Sequence, residues 1–447
     1  MAKHFSQCLV VFLVGVFCVA WSPVFAGGNQ VNPKSVGMSA DRLAHIDNVI
    51  QAEIDAGRLP HATALVARDG KIVYEKYLGQ ASPTNNQDLE SDAIFRIASL
   101  SKVVTSVAAM MCYEEGKFLM DDPISKYIPA FANQVVGEND GNGGLNLVPV
   151  ENEATIRNAL THKAGLIYGD FIEAGHPLKT EMANEQTHLI FPWTLDESLE
   201  SYINRVGSQP LYRQPGGEIT YGVSTDVLGR LVEIWSGQSL DDFMQERIFE
   251  PLGMDDTHFF LPTNKISRLP DLYFDEGDGT ISLWITPDAD PQVVGNGPNK
   301  VFSGAAGLLS TPQDYLKFCE MLRNGGKHKN KWIMSPQSIN MMTADHVAGT
   351  PNLPFFLALY GDGTGFGVGT RFARGNDDGL ESAGTVSFAG ITKTRFWIDS
   401  QEDVVIISLT QVYTLELAGY THKVKNVGFG AINKSKKDYP FGKTGYR

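Results

Sequence analysis

The sequence predicts an α/β protein of the α+β kind, in which an antiparallel sheet flanked by helices is built from both chain ends and a mainly helical domain is inserted between them. Three observations predict it. Residues 63–67 and 72–77 are rich in β-branched and apolar side chains and flank Asp69-Gly70, the strongest short hairpin signal. Residues 394–398 and 404–410 repeat the pattern near the other end, around the polar stretch 399–403. Between them, from about Lys102 to Ser310, the apolar spacing is mostly helical. A cleft between sheet and helices is where a small-molecule site is expected.

In chain order, the first element reads as an export signal. Lys3 and His4 precede an apolar run over 8–21, and Val24-Phe25-Ala26 places the cut after Ala26. The apolar run is shorter than a membrane span needs, so the mature protein carries no predicted span and is expected to be exported, into a periplasm. Phe17 stands before Cys18, where a lipid-attachment site would want a small residue. Residues 27–98 then form the first part of the α/β domain, 99–310 the helical domain, 311–434 the second part of the α/β domain and 435–447 a tail.

Leu43, Ile46, Ile50 and Ile54 predict a helix over 39–57, stopped by Gly57. Further helices are predicted over 102–115, stopped by Gly116, over 225–236, stopped by Gly237, and over 241–249, with Ser239 and Asp242 as its cap. Residues 137–153 and 261–300 read as loops. The Asn/Asp/Gly stretch 139–144 misses the spacing of a calcium-binding hand and reads as a solvated loop.

Of the 447 residues 43% are hydrophobic and 20% charged, enough apolar material for a large core. The 51 acidic residues outnumber the 37 basic ones, a net charge of -14 with no basic block, which argues against nucleic acid and anionic membrane surfaces as partners. Removal of the leader leaves Cys112 and Cys319, both on predicted helices and read as buried free thiols. No Cys-x-x-Cys or His-Glu-x-x-His occurs, so no metal site is predicted.

The chemistry sits in Phe95-Arg96-Ile97-Ala98-Ser99-Leu100-Ser101-Lys102, where a strand-like approach meets a helix start. Positions three apart on a helix share a face, about 5–6 Å apart, so Ser99 and Lys102 should touch. A serine hydroxyl attacks well only when an adjacent base takes its proton. A lysine can do so only when neutral, which costs an unperturbed amine roughly 4–5 kcal/mol at pH 7. Burial among Val103, Val104, Val107, Ala108 and Met111, together with the positive end of the helix, lowers that cost. This Ser-x-x-Lys is the only one in the sequence.

The chain resembles the class C β-lactamases and their relatives, the D-amino-acid peptidases and family VIII carboxylesterases, of the penicillin-binding-protein-like fold. The resemblance rests on ordered segments. They are the nucleophile box at 95–102, Glu114-Glu115-Gly116-Lys117, Asp121-Asp122-Pro123-Ile124, Thr155-Ile156-Arg157-Asn158-Ala159-Leu160-Thr161-His162, Pro215-Gly216-Gly217-Glu218-Ile219-Thr220-Tyr221-Gly222-Val223, Glu250-Pro251-Leu252-Gly253-Met254 and Ser303-Gly304-Ala305-Ala306-Gly307-Leu308. It implies that Tyr221, through its phenolate, is the general base for Ser99 and returns the proton to the leaving group. Tyr202-Ile203-Asn204 matches the family's Tyr-x-Asn wording better, but it lies inside an amphipathic run and reads as packing.

The resemblance also implies a cleft-lining strand, assigned to Phe388-Ala389-Gly390. The N-H groups of Ile391 and Ser99 are its implied oxyanion hole. A literal Lys443-Thr444-Gly445 stands too near the C-terminus to be that strand. Where lactamases carry a lysine this chain has Phe388, and where they carry the asparagine of the tyrosine box it has Val223. Lys393 is an odd number of residues from Phe388 and should face the other side of a strand.

The expected activity is therefore hydrolysis of small esters or amides through an acyl-enzyme, with Ser99, Lys102 and Tyr221 at its centre and no cofactor. The alternatives are the same machinery acting on β-lactams or cell-wall peptides, and a binding protein that has kept the fold without catalysis.

Overall fold

A computed structural model describes residues 30–294, 299–350, 364–373, 379–416 and 419–437. The leader expected over 1–26 and Lys443-Thr444-Gly445 lie outside the described residues.

The main sheet has eight antiparallel strands: β1 (His61–Arg68), β2 (Lys71–Ser82), β3 (Gln87–Asp88), β4 (Thr364–Phe366), β5 (Arg371–Ala373), β6 (Val386–Gly390), β7 (Thr394–Asp399) and β8 (Val404–Leu409). Their spatial order is β4-β5-β6-β7-β8-β1-β2-β3, so the chain's two ends meet where β8 pairs with β1, Thr63 opposite Leu409 and Arg68 opposite Val404. Asp69 and Gly70 turn β1 into β2 with positive φ at both positions, 54° and 71°, the backbone a two-residue hairpin requires.

Both faces of this sheet are covered, which is why its central strands read as unbroken apolar runs rather than alternating ones. On one face Ala64, Val66, Val404, Ile406 and Trp397 pack with α1 (His45–Asp55) and α5 (Tyr420–Gly430), through Ile46, Ile50, Val424 and Phe429. On the other, Leu65, Val405, Ile407 and Phe396 join the large core containing α2 (Ser101–Glu114), α3 (Ser224–Ser236) and α4 (Pro312–Arg323). Among the described residues, no helix is long and apolar enough to cross a membrane.

The expected sheet with an inserted helical stretch is present, with four local corrections. The helix predicted over 39–57 is broken at Ala44, Ala40–Leu43 being capped by Ser39 before α1 begins. The helix predicted over 241–249 is α-helical at Leu240–Met244 and widens to a π turn at Gln245–Phe249. The loop predicted over 137–153 contains a hairpin, Val135–Asn139 with Leu145–Pro149, whose turn is closed by Asp140 Oδ1 accepting the N-H groups of Asn142 and Gly144 at 2.7 and 2.9 Å. Turn-forming side chains therefore marked a hairpin tip rather than a full loop. The loop predicted over 261–300 contains two strands, Leu272–Asp275 and Ile281–Ile285, which Val412–Tyr413 joins in parallel. Its third strand comes from the far end of the chain, so no local pattern announces it. Cys112 and Cys319 are buried and free, as expected.

Candidate active site

The segment leading to Ser99 is fixed before the helix starts. Phe95–Arg96 pairs with Leu309–Ser310, and the Ile97 N-H reaches the Leu308 carbonyl at 3.0 Å. Ala98 then takes φ 47°, a left-handed conformation that costs a non-glycine residue of order 1–3 kcal/mol and survives only where its surroundings impose it. Here they do: Ser101 Oγ donates to the Ala98 carbonyl at 2.7 Å and accepts the Leu308 N-H at 3.0 Å. The turn sets Ser99 at the mouth of α2, in a 3₁₀ turn over Ala98–Leu100.

Lys102, one helical turn on, is fully buried. Its Nζ donates to Ser99 Oγ at 3.3 Å, to Tyr168 Oη at 2.9 Å and to the Ala305 carbonyl at 2.9 Å. The same nitrogen lies 4.8 Å from the centre of the Tyr221 ring and 5.2 Å from that of Tyr168. Burial pushes the lysine's pKa down from its usual value, and the Asp226 carboxylate opposes that shift.

The two tyrosines converge because their segments cross closely. A Cβ at Gly222 would fall 2.5 Å from the Leu166 oxygen, so glycine is what lets the Tyr221 segment lie against 166–168. The Tyr168 and Tyr221 rings stand edge to face at 5.9 Å. His162 packs its ring 4.9 Å from Tyr221; burial, then the Lys102 charge, hold its pKa down at about 3, so the imidazole is neutral. Burial pushes the Tyr168 phenol well up, so it stays protonated.

Asp226 supports the third contact of Lys102. It is fully buried on α3, and its Oδ1 accepts from Ser303 Oγ at 2.6 Å and from the Ala305 N-H at 3.0 Å. Thr105 Oγ1 holds the adjoining Gly304 carbonyl at 2.7 Å. The Gly304–Ala305 peptide, next to the one whose oxygen faces Lys102, is thus clamped between α2 and α3. Burial raises the Asp226 pKa, against the Ser303 hydrogen bond, the Lys102 charge and the Ala305 N-H. Its Oδ2 is buried without a hydrogen-bond partner.

The end of β6 closes the site from the sheet side. A Cβ on Gly390 would lie 2.8 Å from the Ile97 oxygen and 3.1 Å from the Ala98 Cβ, and Thr394 Oγ1 donates to the Ile97 carbonyl at 3.0 Å. Ile391 follows directly, its carbonyl taking the Thr414 N-H at 2.9 Å. Phe388 is fully buried with its ring 6.2 Å from Phe366, so it forms wall rather than open cleft surface. Lys393 sits in the turn after β6, not on the strand, and pairs with Asp275 at 3.6 Å.

Ser99 and Tyr221 therefore both lie beside Lys102, Ser99 through its hydroxyl and Tyr221 through its ring. Tyr202 is buried on the helix Leu199–Gly207, where its hydroxyl takes the Leu189 N-H at 3.0 Å, in keeping with packing. Sequence reasoning missed Tyr168, Asp226 and the Ala305 carbonyl. Tyr168 lies six residues beyond the end of the segment 155–162 on which the resemblance partly rests, and that proximity was its one signal. A backbone carbonyl has none.

Comparison with known proteins gives the same frame. The family model "Beta-lactamase" matches residues 46–421. Curated relatives include the lovastatin esterase of Penicillium rubens, 27% identical with 82% of this chain and 92% of that protein covered. Esterase EstB of Burkholderia gladioli is 26% identical, with 85% of this chain and 93% of that one covered. Among solved structures, EstCE1, a hydrolase with promiscuous acyltransferase activity, superposes with a TM-score of 0.71 at 24% identity, over 88% of this chain and 99% of that one.

Proposed function

Because the chain belongs to the beta-lactamase family, we propose that it is a serine hydrolase cleaving small esters through an acyl-enzyme intermediate. The observation that carries this reading is the fully buried Lys102 amine, 3.3 Å from Ser99 Oγ and beside two tyrosines. Its esterase relatives support the ester as substrate class.

Ser99 Oγ attacks the ester carbonyl carbon while its proton passes into the Lys102–Tyr221 pair. The negative charge that develops on the carbonyl oxygen is held by the N-H groups of Ser99 and Ile391. Collapse of the tetrahedral intermediate breaks the bond to the alkoxide, which Tyr221 protonates as it leaves. Water then attacks the acyl-serine and releases the acid. Tyr168, a protonated phenol 2.9 Å from Lys102, fixes the amine's direction toward Ser99. Replacement of the lactamase strand lysine by Phe388 removes the group that would neutralise a β-lactam carboxylate, which favours esters over antibiotics.

An alcohol replacing water in the last step would give acyl transfer, a second reading favoured by the acyltransferase activity of the similarly folded EstCE1. Added alcohol then diverts product from acid to a new ester.

A fluorophosphonate probe is expected to label the protein, and Ser99→Ala to abolish both labelling and hydrolysis of p-nitrophenyl acetate. Labelling that persists in the alanine variant moves the nucleophile elsewhere. The enzyme acts outside the cytoplasm, in the periplasm, after loss of residues 1–26. Amino-terminal sequencing of the exported protein should begin at Gly27, and a chain that keeps its leader overturns this.

A further inference from the structure

Beside the reacting groups, on the side of Ala98, a cavity of about 90 Å³ opens toward the surface. Ala98, Ala306 and Thr392 form its inner end, and each is the chain neighbour of a group used above: Ser99, Ala305 or Ile391. Phe191, Trp193 and Trp284 form its outer wall. Arg96 and Asp290 also border it, but Arg96 Nε donates to Asp290 Oδ2 at 2.6 Å, so the charges cancel and the lining stays effectively apolar.

The aromatic wall does not stop at the cavity. Ring centres step from Trp193 to Phe191 at 5.0 Å, to Trp284 at 5.8 Å and on to Phe274 at 6.0 Å. Tyr413 bridges the last three, at 5.7, 5.0 and 5.6 Å. Trp284 and Phe274 are 41% and 37% exposed, and Leu415, two residues past the strand Val412–Tyr413, is 53% exposed. The row ends at a second hollow of about 450 Å³, where Phe274 and Tyr413 meet the charged side chains of Arg58, Asp275, Lys393 and Glu416. An apolar strip that starts at the chain neighbours of a reacting cluster and runs to solvent fits a ligand path better than ordinary surface.

We propose that this channel is a subsite for the hydrocarbon chain of the ester, and that the protein prefers medium- or long-chain esters whose chain outgrows the inner cavity and lies along Trp193, Phe191, Trp284 and Phe274. The proposal rests on the serine-hydrolase reading. It deepens that reading by moving the preferred substrate from short esters to lipid-like ones. Each methylene buried along the strip strengthens binding by up to about fourfold.

The test compares acetate, butyrate, octanoate and dodecanoate p-nitrophenyl esters, and the matching alkyl acetates. In one of the two series kcat/KM is expected to rise at least about tenfold from the shortest to the eight-carbon chain, chiefly through KM. Trp284→Ala should cut the eight-carbon to two-carbon ratio by about tenfold. Trp332→Ala, an exposed tryptophan on the edge strand Lys331–Trp332, should leave it unchanged. A second arm needs no turnover. In the Ser99→Ala background, methyl decanoate should bind saturably by calorimetry and lose about tenfold in affinity when Trp284→Ala is added. Flat chain-length dependence in both series, or a ratio and affinity indifferent to Trp284, overturns the subsite. Absence of all ester cleavage together with an unlabelled Ser99 overturns the hydrolase reading instead, while the calorimetric arm still decides the subsite.

Discussion

The reacting cluster and the aromatic strip beside it are built on opposite principles. Ser99, Lys102 and Asp226 sit at helix starts or on helices, nearly or fully buried, with the lysine and aspartate held through Tyr168, Ser303 and Ala305. The strip is carried by 3₁₀ turns and by a small sheet assembled from distant parts of the chain, with half-exposed rings. Rigid elements hold proton-transfer distances to fractions of an ångström, which general-base chemistry needs. A hydrocarbon chain asks only for apolar area, which irregular elements can vary without disturbing the reaction. Changes in the first region should therefore alter rate and pH dependence, and changes in the second should alter chain-length preference.

The sharpest break in that contrast lies within the cluster, between the two tyrosines. Tyr221→Phe removes the hydroxyl proposed to move protons and should lower kcat by about 10²–10⁴-fold for short and long esters alike. Tyr168→Phe removes a hydrogen bond that only orients Lys102 and should cost less, on the order of tenfold. Steady-state kinetics with p-nitrophenyl acetate separate the two. A larger loss from Tyr168→Phe than from Tyr221→Phe would exchange their roles.

What could be read beforehand follows the same division. Ser99 and Lys102 were legible because their contact lies within one helical turn, and Tyr221 because its Pro-Gly-Gly approach and following helix resemble a known box. The sheet was legible from two hairpins whose strands are local neighbours. Tyr168 and Asp226 were not, since their roles arise only where the 166–168 segment crosses Gly222 and where the 303–305 loop is clamped between α2 and α3. The aromatic strip was hidden for a stronger reason. Phe191, Trp284 and Tyr413 belong to three distant segments, and the small sheet joining two of them depends on a parallel pairing between 272–275 and 412–413. Asn and Gly at 139–144 concealed the hairpin at 135–149 by reading as loop on both sides of the turn.

The smallest expected effect tests whether the cluster's buried charge sets its pH dependence. Around Lys102, His162 is neutral and Tyr168 is a protonated phenol, and the buried carboxylate acting on the amine is Asp226. Asp226→Asn keeps an oxygen able to accept from Ser303 and the Ala305 N-H while removing the charge. Catalysis that requires the neutral amine rises with pH as Lys102 loses its proton. The carboxylate favours the protonated form, so without it the amine deprotonates more readily and the acid limb of kcat/KM moves to lower pH, by about one unit. A merely structural role would lower activity at every pH without moving the limb. A limb that moves upward, or stays in place, would show that Asp226 acts by clamping the Ala305 peptide and not through its charge.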